Sequence, residues 1–128
     1  MLEKRCVDYF GQDHNCSMST FHGGCDEWGV SPCDQTMCVM RGYGGGFGCG
    51  NVCGALTGAI AALAAYYIRD PQQRSEAFSQ AAAGVVADFK QAFGSEMCAD
   101  IAPRYKSQGR RCDEVVALTA RLMEKYKK

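Results

Sequence analysis

The chain is predicted to fold as an all-α domain: a compact bundle of about five to seven helices with one glycine-rich loop, residues 1–128 forming a single cysteine-rich unit. Three features carry this reading. Apolar residues recur at helical spacing through most of the chain. Strand-like alternation is nearly absent. Helix punctuation stands at the edges of the periodic segments. At this length one domain is expected, large enough to bury a core without staples.

Taken in order, Glu3–Phe10 is expected to form a short helix. Asn15 is placed to cap a second helix carrying Cys16, Met18 and Phe21, although Gly23 and Gly24 weaken it by about 1 kcal/mol each relative to alanine. Ser31-Pro32 reads as a helix start, with Pro32 in the first position and Cys33, Met37 and Met40 following. The glycine stretch after Arg41 ends that helix. Val52, Leu56, Ile60, Leu63 and Tyr67 then recur at helical spacing behind Asn51 as a candidate cap. Many alanines, with Gly54 and Gly58, make this helix thin enough to sit centrally. Asp70-Pro71-Gln72-Gln73 looks like a capped start for a long amphipathic helix with Phe78, Ala82, Val85, Phe89 and Phe93 on one face. Gly94 is suited to end it in the left-handed conformation. A short helix near residues 95–102 carries Cys98 and should stop before Pro103. The last helix runs from about Cys112 to Tyr126, with Val115, Leu118, Leu122 and Tyr126 inward.

Charge is balanced, with 14 Lys and Arg against 14 Asp and Glu. No basic surface is available for nucleic acid; Arg104, Lys106, Arg110 and Arg111 read as a solvated loop. The longest apolar run, Ala55–Ile68, is too short to insert across a membrane, which takes about 20 residues. Charges at Glu3, Lys4 and Arg5 stand where a secretory leader would be apolar. A cytoplasmic protein is therefore expected.

The nine cysteines are the compositional outlier. Their odd number argues against a simple disulfide framework. In a reducing compartment, so many thiols point to metal or redox chemistry. The stretch "GYGGGFGCGNVCGALTG", residues 42–58, holds eight glycines in seventeen residues and two cysteines four apart. It lacks the G-x-G-x-x-G spacing of a dinucleotide site and the Gly-Lys-Ser/Thr of a phosphate loop. Bare backbone at Gly44, Gly45, Gly46, Gly48 and Gly50 would instead admit a bulky ligand beside thiols. If Asn51 caps the next helix, Cys53 lies in its first turn, where unpaired amides favour a thiolate.

The segment Cys53-Gly54-Ala55-Leu56-Thr57-Gly58 resembles the central motif of a family of redox-active proteins named for the cysteine pattern C–GCAxxG–C–C. Asn15-Cys16 matches the first cysteine of that pattern, Phe93-Gly94-Ser95-Glu96-Met97-Cys98 the third, and Cys112 the fourth. Gly44–Gly48 resembles the glycine run before the motif. The resemblance implies a small helical domain with four functional cysteines, Cys16, Cys53, Cys98 and Cys112. The family is similar to part of the split-Soret cytochromes, which implies a homodimer and an iron–sulfur centre. No C-x-x-C-H is present, so no haem attachment is expected.

Three chemistries remain open on these residues. Four thiolates could hold a 2Fe–2S or 4Fe–4S cluster for electron transfer or redox sensing, with an unidentified redox partner protein. Cys49, Cys38, Cys33 and Cys25 are possible additional ligands; Cys6 is a further thiol outside the family pattern. Alternatively, Cys53 is a low-pKa nucleophile resolved by Cys49, Cys98 or Cys112 in thiol–disulfide exchange. The third is soft-metal binding, zinc or copper, without catalysis. His14 and His22 could replace a cysteine ligand but read as exposed. Asp26-Glu27 and Asp113-Glu114 read as solvated helix starts.

Overall fold

A computed structural model describes residues 2–106 and 112–127; Arg110 and Arg111 of the basic stretch lie outside these. Seven α-helices and no strands occur among the described residues, so the expected all-α bundle is what forms. They are α1 (Leu2–Phe10), α2 (Cys16–Glu27), α3 (Asp34–Arg41), α4 (Gly54–Tyr67), α5 (Glu76–Phe93), α6 (Cys98–Lys106) and α7 (Asp113–Glu124).

The thin helix is central. α4 packs against α2, α5 and α7, and α1 closes the bundle against α2 and α7. Ala55, Leu56, Ala59, Ala62 and Leu63 of α4 are buried, facing Phe21 and Cys25 of α2, Val85 and Phe89 of α5, and Val116, Ala120 and Met123 of α7 in one core. A Cβ built on Gly58 would lie 2.1 Å from Thr20 Oγ1 and 2.2 Å from the Ser17 carbonyl oxygen. One built on Gly54 would lie 2.5 Å from Cys16 Sγ and 3.0 Å from the Tyr43 carbonyl oxygen. Both glycines of the motif are thus points where α2 and the α3–α4 loop press directly on α4. The Thr20 hydroxyl uses this closeness to donate to the Ala55 carbonyl at 2.9 Å. Gly23 and Gly24 serve the same end, against Cys6 of α1 and Ala62 of α4, so tertiary packing outweighs their low helix propensity.

Several boundaries differ from those read in the sequence. Asn15 caps α2 as expected, its side chain accepting from Met18 N–H at 3.1 Å, and Gly94 ends α5 at φ 76°. Helix α3, however, begins at Asp34 behind Cys33 rather than at Pro32. Asp70–Gln73 forms a turn, Gln73 N–H donating to the Asp70 carbonyl at 2.8 Å. The helix start shifts to Ser75, whose hydroxyl accepts from Phe78 N–H at 3.0 Å. Helix α6 continues through Pro103. Proline there forgoes one backbone bond, and the Arg104 guanidinium reaches back to the carbonyls of Asp100 and Phe93, so Arg104 is anchored rather than merely solvated. The buried face of α7 is Val115, Val116, Thr119, Ala120 and Met123; Leu118, Leu122 and Tyr126 flank it, half-buried. No helix among the described residues is long and apolar enough to cross a membrane.

Gly58→Ala is expected to lower unfolding free energy by about 2 kcal/mol or more, because the new methyl meets backbone and the helices must part. Gly11→Ala, whose Cβ would make ordinary contacts of 3.6 Å, should change it by less than about 0.5 kcal/mol. Urea melts of the two variants measure the difference; equal losses would remove the special role of the α2–α4 crossing.

Candidate metal–thiolate site

Asn51 does not cap α4. It and Val52 run past residues 96–98 in a two-residue antiparallel bridge, Val52 opposite Met97. Cys53 N–H donates to the Glu96 carbonyl at 2.7 Å, and Cys98 N–H to the Asn51 carbonyl at 2.6 Å. In such a bridge neighbouring residues alternate sides, so Cys53 and Cys98 share the face opposite to Val52 and Met97. α4 starts two residues later than that cap would place it, with Cys53 itself in the N-cap position.

The other three cysteines of the pattern stand at helix starts as well. Cys16 is the first residue of α2, directly after its cap. Cys98 is the first residue of α6 and Cys112 occupies the N-cap of α7. All four line one cavity of about 270 Å³, together with Phe10, Asn15, Gly45, Ile101, Ala102 and Val115. Four helix N-termini, each with unpaired amides and a positive dipole end, thus converge on one mostly apolar space.

The glycine loop closes one side. Gly45, Gly46, Phe47 and Gly48 are successive left-handed residues, with φ of 65°, 65°, 62° and 74°. This turn brings Gly45 to the cavity wall. A Cβ on Gly46 would lie 2.5 Å from the Asn51 carbonyl oxygen and 2.7 Å from Cys98 Cβ. Gly46 therefore seats the loop on the bridge. Gly48 has open space around it and Gly50 faces Ala99. Of the loop glycines read as room for a ligand, Gly46 is the one pressed against a cavity cysteine, at its Cβ. Gly45, also among the glycines read as making room, is the one that lines the cavity.

Burial dominates the electrostatics of Cys53, pushing its thiol up to about 12; the amides of Ala55 and Leu56 offset part of this, and Cys16 and Cys98 add to it. The expectation of a low-pKa nucleophile at this helix start is therefore corrected: desolvation outweighs the dipole. Burial thus holds Cys53 in its thiol form at neutral pH, whereas a coordinating metal would deprotonate it outright.

The remaining cysteines stand elsewhere. None of Cys25, Cys33, Cys38 and Cys49 lines the cavity. Cys6 and Cys25 are buried in the α1–α2 core, and burial pushes both thiols up to about 12. Cys33, Cys38 and Cys49 are exposed. The Thr36 hydroxyl, 3.3 Å from Cys33 Sγ, holds that thiol below its ordinary value. No disulfide joins cysteines among the described residues. Nor do any three His, Cys, Asp or Glu side chains there form a group that could hold a metal ion.

His14 and His22 are not simply exposed. Tyr9, His14 and His22 form a three-ring stack, and His14 Nε2 lies 2.8 Å from His22 Nδ1. Burial and the neighbouring His22 hold His14 below the usual histidine range. Asp26 and Glu27 end α2 rather than starting a helix. Asp26 accepts from the Tyr9 hydroxyl and lies 3.6 Å from His22; Glu27 pairs with Arg5 at 3.1 Å. Arg5 thereby offsets the poor placement of carboxylates at a helix C-terminus. Asp113 and Glu114 do stand in the first turn of α7.

The profile of a family described as "Putative redox-active protein (C_GCAxxG_C_C)" matches residues 14–126, nearly the whole chain. No curated protein and no solved structure matches it.

In the metal-free chain at neutral pH, an alkylating thiol reagent should modify Cys33, Cys38 and Cys49 first. Cys6, Cys25 and Cys53 should react at least about a hundredfold more slowly, through opening of the fold. Peptide mapping of the time course reads this order. Labelling of Cys53 at the rate of Cys33 would contradict its burial.

Proposed function

The chain belongs to the C_GCAxxG_C_C family of redox-active proteins, and on that premise we propose that it is an iron–sulfur protein working in electron transfer or redox sensing, with Cys16, Cys53, Cys98 and Cys112 as the ligands of one cluster. A single observation carries the reading: the four thiols of the family pattern, from four separate helix starts, line the same cavity. Four cysteine thiolates are the ordinary ligand set of such clusters.

Bound there, the cluster would supply one-electron exchange. The chain's own residues have distinct tasks. Phe10, Ile101, Ala102 and Val115 exclude water, which tunes potential through the local dielectric. Ala55 and Leu56 turn their amides toward Cys53, and amide donors to sulfur raise a cluster's potential. Gly54 leaves room for Cys16 Sγ and Gly46 for Cys98. The thiols must give up their protons on loading, since only the thiolates bind metal. This reading takes the protein to act in a reducing compartment such as the cytoplasm, exchanging electrons with a partner protein.

Anaerobic purification from iron-replete cells, followed by iron and acid-labile sulfide analysis, is the direct test. Equal iron and sulfide with visible charge-transfer absorption is the expected result; a colourless protein lacking both would reject the assignment. Cys98→Ala should remove most of the bound iron, while Cys38→Ala, at an exposed position off the cavity, should retain it. Two loop variants sharpen the geometry. Gly46→Ala and Gly48→Ala carry the same left-handed strain, about 1–2 kcal/mol, yet only the first displaces Cys98. Iron loss is expected for Gly46→Ala alone.

A further inference from the structure

Asn15 does more than a helix cap requires. Its side-chain oxygen accepts from Met18 N–H at 3.1 Å, the bond that caps α2. Its side-chain nitrogen donates to the backbone carbonyl of Arg41, the last residue of α3, at 2.9 Å. These two partners fix the orientation of the amide, since a backbone N–H only donates and a carbonyl only accepts. Two further bonds join the same segments. The Ser17 hydroxyl donates to the Met40 carbonyl at 2.6 Å, and the Arg41 guanidinium donates to the backbone carbonyl of Asp13 at 2.8 Å. The closing carbonyls of α3, which helix geometry leaves without partners, are thus taken up by side chains at the start of α2. Gly44 supplies an independent observation. Unlike Gly45, Gly46 and Gly48 it is not left-handed, so its conformation does not call for glycine. A Cβ built on it would lie 2.4 Å from Asn15 Nδ2 and 2.8 Å from Asn15 Cγ. The loop is bare at Gly44 because the Asn15 amide lies against it.

We propose that Asn15 is a positioning residue of the thiol cavity, its amide fastening the glycine loop to the start of α2 so that Cys16 and the Gly45 wall keep one geometry. Asn15 lines the cavity beside Cys16, and Gly45, next to Gly44, lines it as well. One planar side chain therefore touches both the helix that carries a thiol and the loop that closes the space over it. Capping alone does not select asparagine, because aspartate and serine cap a helix about as well. The Arg41 carbonyl does select it. An ionised aspartate has no proton to donate there, and serine lacks the atoms that reach it. An aspartate would also set a negative charge on the wall of a space where four thiolates meet. That charge consequence rests on the iron–sulfur reading; the tie between α2 and the loop does not.

Amide hydrogen exchange of the full chain, purified anaerobically and measured before and after iron is chelated, tests the tie. The amides of Tyr43 and Phe47 donate to the carbonyls of Met40 and Tyr43. They should exchange at least about tenfold faster in Asn15→Ser and Asn15→Asp than in the unaltered chain. The amides of Val85 and Phe89, in the core of α5, should stay within about threefold of their original rates. Gly44→Ala should give the same pattern with Asn15 intact. If Asn15 only caps α2, the serine and aspartate variants keep the original loop rates, and that result overturns the proposal. Equal acceleration in the loop and in α5 overturns it too, since the residue would then serve stability in general. In iron-loaded protein, Asn15→Asp should favour the oxidised form at least about tenfold more than Asn15→Ser does, about 59 mV for one electron. Equal potentials in the two would contradict the place of this side chain on the cavity wall. Absence of iron from the unaltered protein would reject the cluster assignment, while the exchange rates would still decide the tie.

Discussion

The approach of α4 to α2, backbone against backbone, is the constraint on which the rest of the molecule depends. Gly54 and Gly58 leave no side chain between the helices, and Ser17, Thr20 and Cys16 occupy the space. A hydrophobic helix of ordinary girth would hold α2 several ångströms away and take Cys16 out of the cavity. Because α4 is narrow, it also sits within reach of α5 and α7, so one short alanine-rich segment organises the core. Ser17 adds a buried bond of its own, donating to the Met40 carbonyl at 2.6 Å, which ties the end of α3 to the start of α2. The glycines of the motif are thus matters of packing, and its cysteine alone is left for chemistry.

Around that crossing the chain solves a second problem, the gathering of thiols from distant segments. It does so with helix beginnings. A residue at or beside an N-cap leaves the bundle's side and points along its end, so four helices that start at one end bring four side chains together without a sheet or a long loop. The bridge between Val52 and Met97 fixes two of them relative to each other through two backbone bonds. The left-handed turn at Gly45–Gly48 is the device that lets the chain reverse over this bridge. Where three of its residues are glycine the turn is nearly free of strain; at Phe47 it is not.

Periodicity and capping chemistry made the helices legible. Asn15 and Gly94 act as their residue types suggest, and α5 follows its apolar stripe closely. What was not legible depends on partners far along the chain. Asn51 looks like a cap because nothing nearby reveals that residues 96–98 pair with it. Asp70-Pro71 looks like a helix start because the competing turn uses the same residues, and only Ser75 closes on an amide. Pro103 looks like a stop because the guanidinium that covers neighbouring carbonyls is itself part of the tertiary structure. At the candidate site, the cysteine pattern identified four positions that the fold does bring to one cavity. The depth of burial at Cys53 was hidden, and with it the sign of its pKa change. The Tyr9–His14–His22 stack was hidden too, since two histidines eight residues apart carry no signal until a helix and a turn superpose them.

The spacing of the cavity's cysteines along the chain has a consequence for how the protein comes into being. Cys16 is made early and Cys112 belongs to the last of the helices, with Cys53 and Cys98 between. No single helix carries more than one of them. During synthesis the earlier thiols must therefore wait, each on a helix whose partners do not yet exist, until α7 can dock. The order of events is set by topology: the helical frame forms first, and the container is finished by its final wall.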